Sequence, residues 1–180
     1  VTHDFDLIIV GGGMVGASLA CALGNTSLRI GVVESHPAQT EWPEGSYDIR
    51  VSAITRATQN VFANVGAWEA MAAMRVSPYE RMRVWDASGA GGIGGEVRFD
   101  AADIGEPDLG LIVENGVILA ALRERMAVFD NIDMLCPVRC ESMVVHEQGA
   151  LLKLQDGREL GAKLSVGADG AESWVRTQVG

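Results

Sequence analysis

The stretch Leu7-Ile8-Ile9-Val10-Gly11-Gly12-Gly13-Met14-Val15-Gly16 is followed without a break by Ala17-Ser18-Leu19-Ala20-Cys21-Ala22-Leu23. Its first four residues suit a buried strand, its glycines a turn, and the alanine-rich run a slim helix. Strand, glycine turn and helix in this order aim backbone N–H groups and the positive end of the helix dipole at one spot, where a pyrophosphate can sit. Gly11 permits the tight bend, Gly13 admits a ligand where a Cβ would block it, and Gly16 lets the helix pack closely on its strand. Gly24-Asn25 is the expected helix end.

Outward from this turn, a second strand is expected over Leu28 to Val33, ending in Glu34. The offset 34 − 13 = 21 suits an acidic residue that accepts hydrogen bonds from the adenosine ribose hydroxyls. A carboxylate there favours a free 2′-hydroxyl, so FAD or NAD is expected ahead of NADP. Gly89, Gly91 and Gly94 repeat the glycine spacing, but no helix follows them, and that segment reads as a hairpin connection.

A chain of 180 residues, 48% hydrophobic and 21% charged, can bury a real core. The net charge of −10 and a pI near 4.7 argue against nucleic acid and give no attraction to anionic lipid. Neither a signal peptide nor a long apolar span is seen, so a soluble, cytoplasmic protein is expected. Cys21, Cys136 and Cys140 lack the spacing of a disulfide framework or zinc site and read as reduced, packed thiols. His3, His36 and His146 are scattered and read as surface residues; no catalytic side chain and no metal site is expected.

The polar stretch after Glu34, with Pro37, Pro43 and Gly45, reads as a loop. Order resumes at Asp48–Ile54. Ser52 or Thr55 can cap the next helix, with Val61, Phe62 and Val65 as its apolar face and Gly66 as its stop. A short helix, Trp68–Met74, leads to Met82–Trp85 and Glu96–Phe99, which read as paired strands of an inserted sheet. Asn115 starts a helix with Ile118, Leu122, Met126 and Phe129 along one face. Met143–Val145, Ala150–Leu154 and Glu159–Leu164 read as an antiparallel meander, with Asp156-Gly157 as a turn. Leu164-Ser165-Val166 then enters a second glycine turn, Gly167-Ala168-Asp169-Gly170. The stop at Gly180, early in the last helix, reads as the end of a fragment.

Together, Gly11–Gly16, Arg50-Val51-Ser52-Ala53-Ile54, Val84-Trp85-Asp86, Ile112-Val113-Glu114-Asn115 and Gly167–Arg176 carry a resemblance. The chain resembles the ubiquinone-biosynthesis hydroxylases of the UbiH/UbiF/VisC group, within the single-component FAD-dependent aromatic monooxygenases. The resemblance implies an α/β, Rossmann-like FAD-binding fold of the glutathione-reductase type, with an antiparallel meander and part of an inserted substrate-domain sheet. Residues 1–75 and 105–180 would form an incomplete FAD-binding domain and 76–104 part of the substrate domain.

Position by position, it implies that Gly11, Gly13, Met14, Val15 and Gly16 cradle the FAD pyrophosphate and Glu34 holds the ribose. Arg50 would contact the flavin, or be a solvated loop charge. Asn115 would contact the cofactor, cap its helix, or both. The Cys140 backbone would flank adenine, and Asp169-Gly170 would serve FAD and the incoming nicotinamide nucleotide, with a helix cap as the plainer role. The implied reaction uses NAD(P)H and O2 to hydroxylate a polyprenylated phenol at the periphery of the inner membrane, within a biosynthetic complex or a homo-oligomer. A later flavin-binding motif of that family is missing, so weak or no FAD binding and no activity are expected of these residues alone. The alternatives are an NAD-dependent Rossmann dehydrogenase, which predicts continued strand–helix alternation after Glu34, and a non-catalytic flavin-fold binding module.

Overall fold

The computed structural model describes residues 3–37, 45–86 and 95–180. Its centre is a six-stranded sheet. β1 (Phe5–Val10), β2 (Ile30–Val33), β8 (Ile132–Leu135) and β11 (Glu159–Gly167) are its parallel strands, and β9 (Cys140–His146) and β10 (Gly149–Leu154) complete it in antiparallel fashion, in the order β8-β2-β1-β11-β10-β9. The meander stands as expected, with one difference. The residues read as its last strand and the strand entering the second glycine turn form a single strand, β11, which pairs with β10 through Glu159–Ala162 and with β1 through Ala162–Gly167.

Alternation along β1 splits the core in two. Leu7 and Ile9 face α1 (Met14–Ala22) and α4 (Asn115–Met126), while Ile8 and Val10 face Leu152, Leu154, Val138 and Val175. Fully buried Ala17 and Ala20 keep α1 thin, and Ile118 and Leu122 of α4 are fully buried beside it. Each such aliphatic side chain stabilises the packing by about 1.5–3 kcal/mol.

A second sheet, β3 (Val51–Thr55), β7 (Gly110–Glu114) and β4 (Ser77–Tyr79) in the order β3-β7-β4, leans on the α4 side through Ile54 and Val113. α2 (Arg56–Asn64) is capped by Thr55, whose hydroxyl accepts from the Thr58 N–H at 3.3 Å, and α3 spans Trp68–Met74 as expected. The hairpin β5 (Arg81–Trp85) and β6 (Glu96–Asp100) pairs Met82 with Phe99 and Val84 with Val97. The Gly89–Gly94 connection and the middle of the loop after Glu34, including Pro43, lie outside the described residues.

Two local expectations need correction, and one strand has no counterpart among them. β2 begins at Ile30, because the Leu28 carbonyl accepts from the Asn131 amide and the Arg29 carbonyl from Asp6 and Leu7, ahead of the regular ladder. Val61 is 50% exposed, since Phe62 and Val65 alone meet the core. α1 ends where expected, its C-cap Leu23 standing immediately before Gly24, and Gly24 has a second use, for an added Cβ would lie 2.4 Å from the Phe129 ring. β8 was not foreseen: Asp133 interrupts its short apolar run.

Candidate functional site

The carboxyl ends of β1, β2 and β11 border a cleft of about 770 Å³, where open parallel sheets bind ligands. It is lined by Val10, Gly11 and Gly13, by Val33 to His36, by Val138 to Glu141 with Gln155, and by Ala168 to Gly170 with Trp174. The turns after β1 and β11 touch: Gly11 has φ +106°, and an added Cβ would lie 2.4 Å from the Ala168 carbonyl oxygen. A Cβ on Gly16 would lie 1.9 Å from the Gly11 carbonyl oxygen, so the seating of α1 on its strand depends on that glycine.

Gly13 differs from both. Its φ of −69° suits any residue, and an added Cβ would meet no atom within 4 Å. It borders the cleft, and with no side chain it leaves that part of the wall clear. It also caps α1 without a side-chain oxygen, leaving the first-turn N–H donors free of a capping side chain. A cleared space beside helix-end donors fits a pyrophosphate. Met14, Val15 and Gly16 follow in that turn and do not line the cleft: Met14 packs on the core and the Val15 side chain is 74% exposed.

Glu34 closes one end of the cleft. Its Oε2 accepts from the Gly12 N–H at 2.8 Å and its Oε1 from the His36 N–H at 2.8 Å and the Ser35 hydroxyl at 3.2 Å. Burial alone would raise its pKa, but these donors outweigh burial and hold the carboxyl below its ordinary value. An ionised carboxylate has several acceptor sites, so it can also take a ribose hydroxyl.

Across the cleft, Asp169 Oδ1 accepts from the Ser173 hydroxyl at 2.6 Å and Oδ2 from the Val175 N–H at 3.0 Å. Burial opposes ionisation here as well and is outweighed by those hydrogen bonds, so its pKa is lowered. Ser173 in turn caps α5 (Trp174–Val179) by accepting from the Arg176 N–H at 3.0 Å. Asp169 therefore anchors a helix start and walls the cleft. Cys140 stands nearby, its thiol pushed up to about 11 by burial and then by the Asp169 charge.

Gly11, Gly13, Glu34, Cys140, Asp169 and Gly170 thus share one cleft. Arg50 and Asn115 do not line it; they meet each other where β3 and α4 begin, the Arg50 carbonyl accepting from the Asn115 N–H at 3.0 Å. The reading of Asn115 as a helix cap is corrected. Glu114 holds the cap position, and Asn115 Oδ1 accepts from the Ser52 hydroxyl at 2.7 Å. The Arg50 side chain is exposed and makes no hydrogen bond or ion pair with the described residues.

His36, read as a surface residue, and Arg139, Gln155 and Trp174, none of them expected at the site, also line the cleft. His36 sits two residues past Glu34, a position that could have flagged it. Arg139 and Gln155 meet only through a backbone bond, Gln155 N–H to Arg139 carbonyl at 2.9 Å, which no local pattern announces.

A family of FAD binding domains matches residues 4–180. The 3-demethoxyubiquinol 3-hydroxylase of Escherichia coli (strain K12) is 35% identical over 175 residues, covering 97% of this chain and 44% of that protein. The mitochondrial ubiquinone biosynthesis monooxygenase COQ6 of Homo sapiens is 35% identical over 195 residues, covering 98% and 39%. The chain therefore spans less than half the length of these relatives. Among solved structures, PqsL of Pseudomonas aeruginosa, described as a probable FAD-dependent monooxygenase, superposes with a TM-score of 0.74 at 23% identity, covering 99% of this chain and 45% of that one, a likeness of fold.

Proposed function

Because the chain belongs to the FAD binding domain family, we propose that it is the dinucleotide-gripping part of a flavin-dependent monooxygenase that hydroxylates a polyprenylated phenol in ubiquinone biosynthesis, using NAD(P)H and O2. The observation that carries the reading is the cleft itself: Gly13 keeps it clear beside the α1 N-terminus, while an ionised Glu34 stands at the end of the neighbouring strand.

In this reading Gly11, Gly13, Met14, Val15 and Gly16 cradle the pyrophosphate: Gly11, whose N–H is held by the Val33 carbonyl, and Gly16 shape the turn and seat the helix, while the first-turn N–H groups and the helix dipole meet the charge. Glu34 accepts from the adenosine ribose, the Cys140 backbone flanks adenine, and Asp169 and Gly170 approach from the turn after β11. Arg50 and Asn115 serve the flavin end, a free guanidinium being suited to bidentate contact with a phosphate or flavin oxygen. Residues 76–104 belong to a substrate domain, and the remainder to the FAD-binding domain.

The bound flavin supplies the redox chemistry, as cofactors do in such enzymes. The chain binds and orients it; no described side chain is assigned a proton transfer. The phenol's polyprenyl tail places the work at the inner membrane surface, and no helix among the described residues is long and apolar enough to cross a membrane.

The test is a titration of flavin-free protein, expressed from its own gene, with FAD and with NADH, followed by NAD(P)H oxidation under oxygen with and without a prenylated phenol. Tight FAD binding and phenol-stimulated, oxygen-dependent oxidation are expected. Preference for NADH over FAD would overturn the reading in favour of a dehydrogenase.

A further inference from the structure

We propose that Arg75 and Glu114 are positioning residues for the flavin end of the site: their ion pair holds residues 46–50 against the start of α4 and so sets where Arg50 and Asn115 stand relative to each other. The inference rests on the reading of Arg50 and Asn115 as flavin contacts.

Glu114 is the one buried charged residue among those described, 5% exposed. It occupies the cap position of α4, yet its side chain makes no capping hydrogen bond. Its carboxylate turns instead to Arg75, whose Nε lies 3.1 Å from Oε1 and whose Nη2 lies 3.3 Å from Oε2. The same Oε2 accepts from the Asp48 N–H at 2.8 Å. Arg75 spends its remaining reach on the same segment: Nη1 donates to the Ser46 carbonyl at 2.5 Å, and the guanidinium stacks over the Tyr47 ring at 5.0 Å. Residues 46, 47 and 48 are thus each held by this pair.

The hold passes on to Arg50. Asp48 Oδ1 accepts from the Arg50 N–H at 2.9 Å, closing a turn, and the Arg50 carbonyl accepts from the Asn115 N–H. Glu114 and Asn115 are successive, so the start of α4 grips the segment at both ends of Asp48–Arg50. An ion pair whose carboxylate is buried, with its arginine 30% exposed, is a poor source of net stability, because desolvation offsets much of its attraction. What it does supply is geometry: a planar fork with a fixed set of partners admits few arrangements of the chain it holds.

The test uses Arg75→Met, Arg75→Lys and Glu114→Gln in the protein expressed from its own gene. Each variant is stripped of flavin and titrated separately with ADP and with FAD, and the fluorescence of rebound flavin is recorded. ADP needs only the cleft between the first glycine turn and Glu34. For Arg75→Met we expect ADP affinity within about twofold of the parent, FAD affinity about tenfold weaker, and flavin emission closer to that of free FAD, with Arg75→Lys recovering part of the loss. Equal losses for ADP and FAD, or an unchanged FAD affinity and emission, would overturn the inference. Should Arg75→Met not fold, Glu114→Gln, which keeps an acceptor for the Asp48 N–H, decides by the same two titrations. A parent protein that binds neither ligand overturns the functional reading, and this inference with it.

Discussion

Two alanine substitutions three positions apart should separate binding from folding. At Gly13 the backbone is in ordinary extended space and an added methyl touches no protein atom within 4 Å, so Gly13→Ala should change folding stability by less than about 1 kcal/mol, the loss of a good cap residue partly offset by a stiffer unfolded chain. The same methyl stands in the cleft beside the first-turn N–H donors of α1. Pushing a pyrophosphate oxygen off one of them removes a charge-assisted hydrogen bond, about 2 kcal/mol, or roughly thirtyfold in the dissociation constant. At Gly16 the methyl would lie 1.9 Å from the Gly11 carbonyl oxygen, where ordinary contact begins near 3.4 Å, so α1 must move off its strand. Overpacking of this kind costs about 1–3 kcal/mol or more and should lower Tm as well as affinity. Thermal unfolding of the flavin-free proteins, paired with FAD titration by fluorescence quenching, reads both quantities. A Gly13→Ala protein that keeps the parent Tm and also binds FAD within twofold of the parent would refute the reasoning, because the space in front of that residue would then not be where the phosphates lie.

Glu34→Gln should weaken FAD about tenfold. Because the native carboxyl is held below its ordinary pKa, the stability that its hydrogen bonds add is fully present above the unfolded-state value and is lost as pH falls through the depressed folded value. Urea unfolding across the acid range should therefore show a shallower loss of stability in Glu34→Gln than in the parent, and an identical acid limb would contradict this. Leu122→Ala empties a fully buried position between α4 and the sheet, at a cost of about 3 kcal/mol, and should lower Tm by roughly 10 °C in scanning calorimetry; a drop of under about 2 °C would mean the site collapses freely. With Cys21 and Cys140 both pushed up to about 11, only about one thiol in a thousand is ionised at pH 8. Alkylation followed by mass spectrometry should leave both largely unmodified in the folded protein while the urea-unfolded chain reacts; equal rates in the two states would refute the burial argument.

What was legible in the chain was what its neighbours in sequence decide. The β1 turn, α1 and Glu34 fall within one short βαβ unit, whose geometry follows from glycine spacing and strand period. Trp68–Met74 and the Thr55 cap were legible for the same reason. β8 was not, because Ile132-Asp133-Met134-Leu135 is too short and too mixed to announce a strand; it becomes one by pairing with β2, Ile30 to Ile132 through Val33 to Leu135. The two halves of β11 look like separate strands in the sequence because they have different partners, and partners are a tertiary fact.

The same distinction runs through the site. Gly11 looks self-explanatory as a turn glycine, yet the structure gives it a second reason: the Ala168 carbonyl occupies the place where its Cβ would be. That contact exists because β1 and β11 are parallel neighbours whose register brings Val10 opposite Gly167, setting their two glycine turns side by side at one sheet edge. The first turn is therefore complete only when the second is folded against it, and the cleft is a property of the pair. The far wall follows the same logic. Arg139 and Gln155 reach the cleft only after the meander has brought the chain back beside β11, and Arg50 meets Asn115 only after β3 has paired with β7. A local motif can thus mark where the phosphates would lie, while the groups that would choose and orient the rest of the ligand depend on strand pairings that no spacing along the chain encodes.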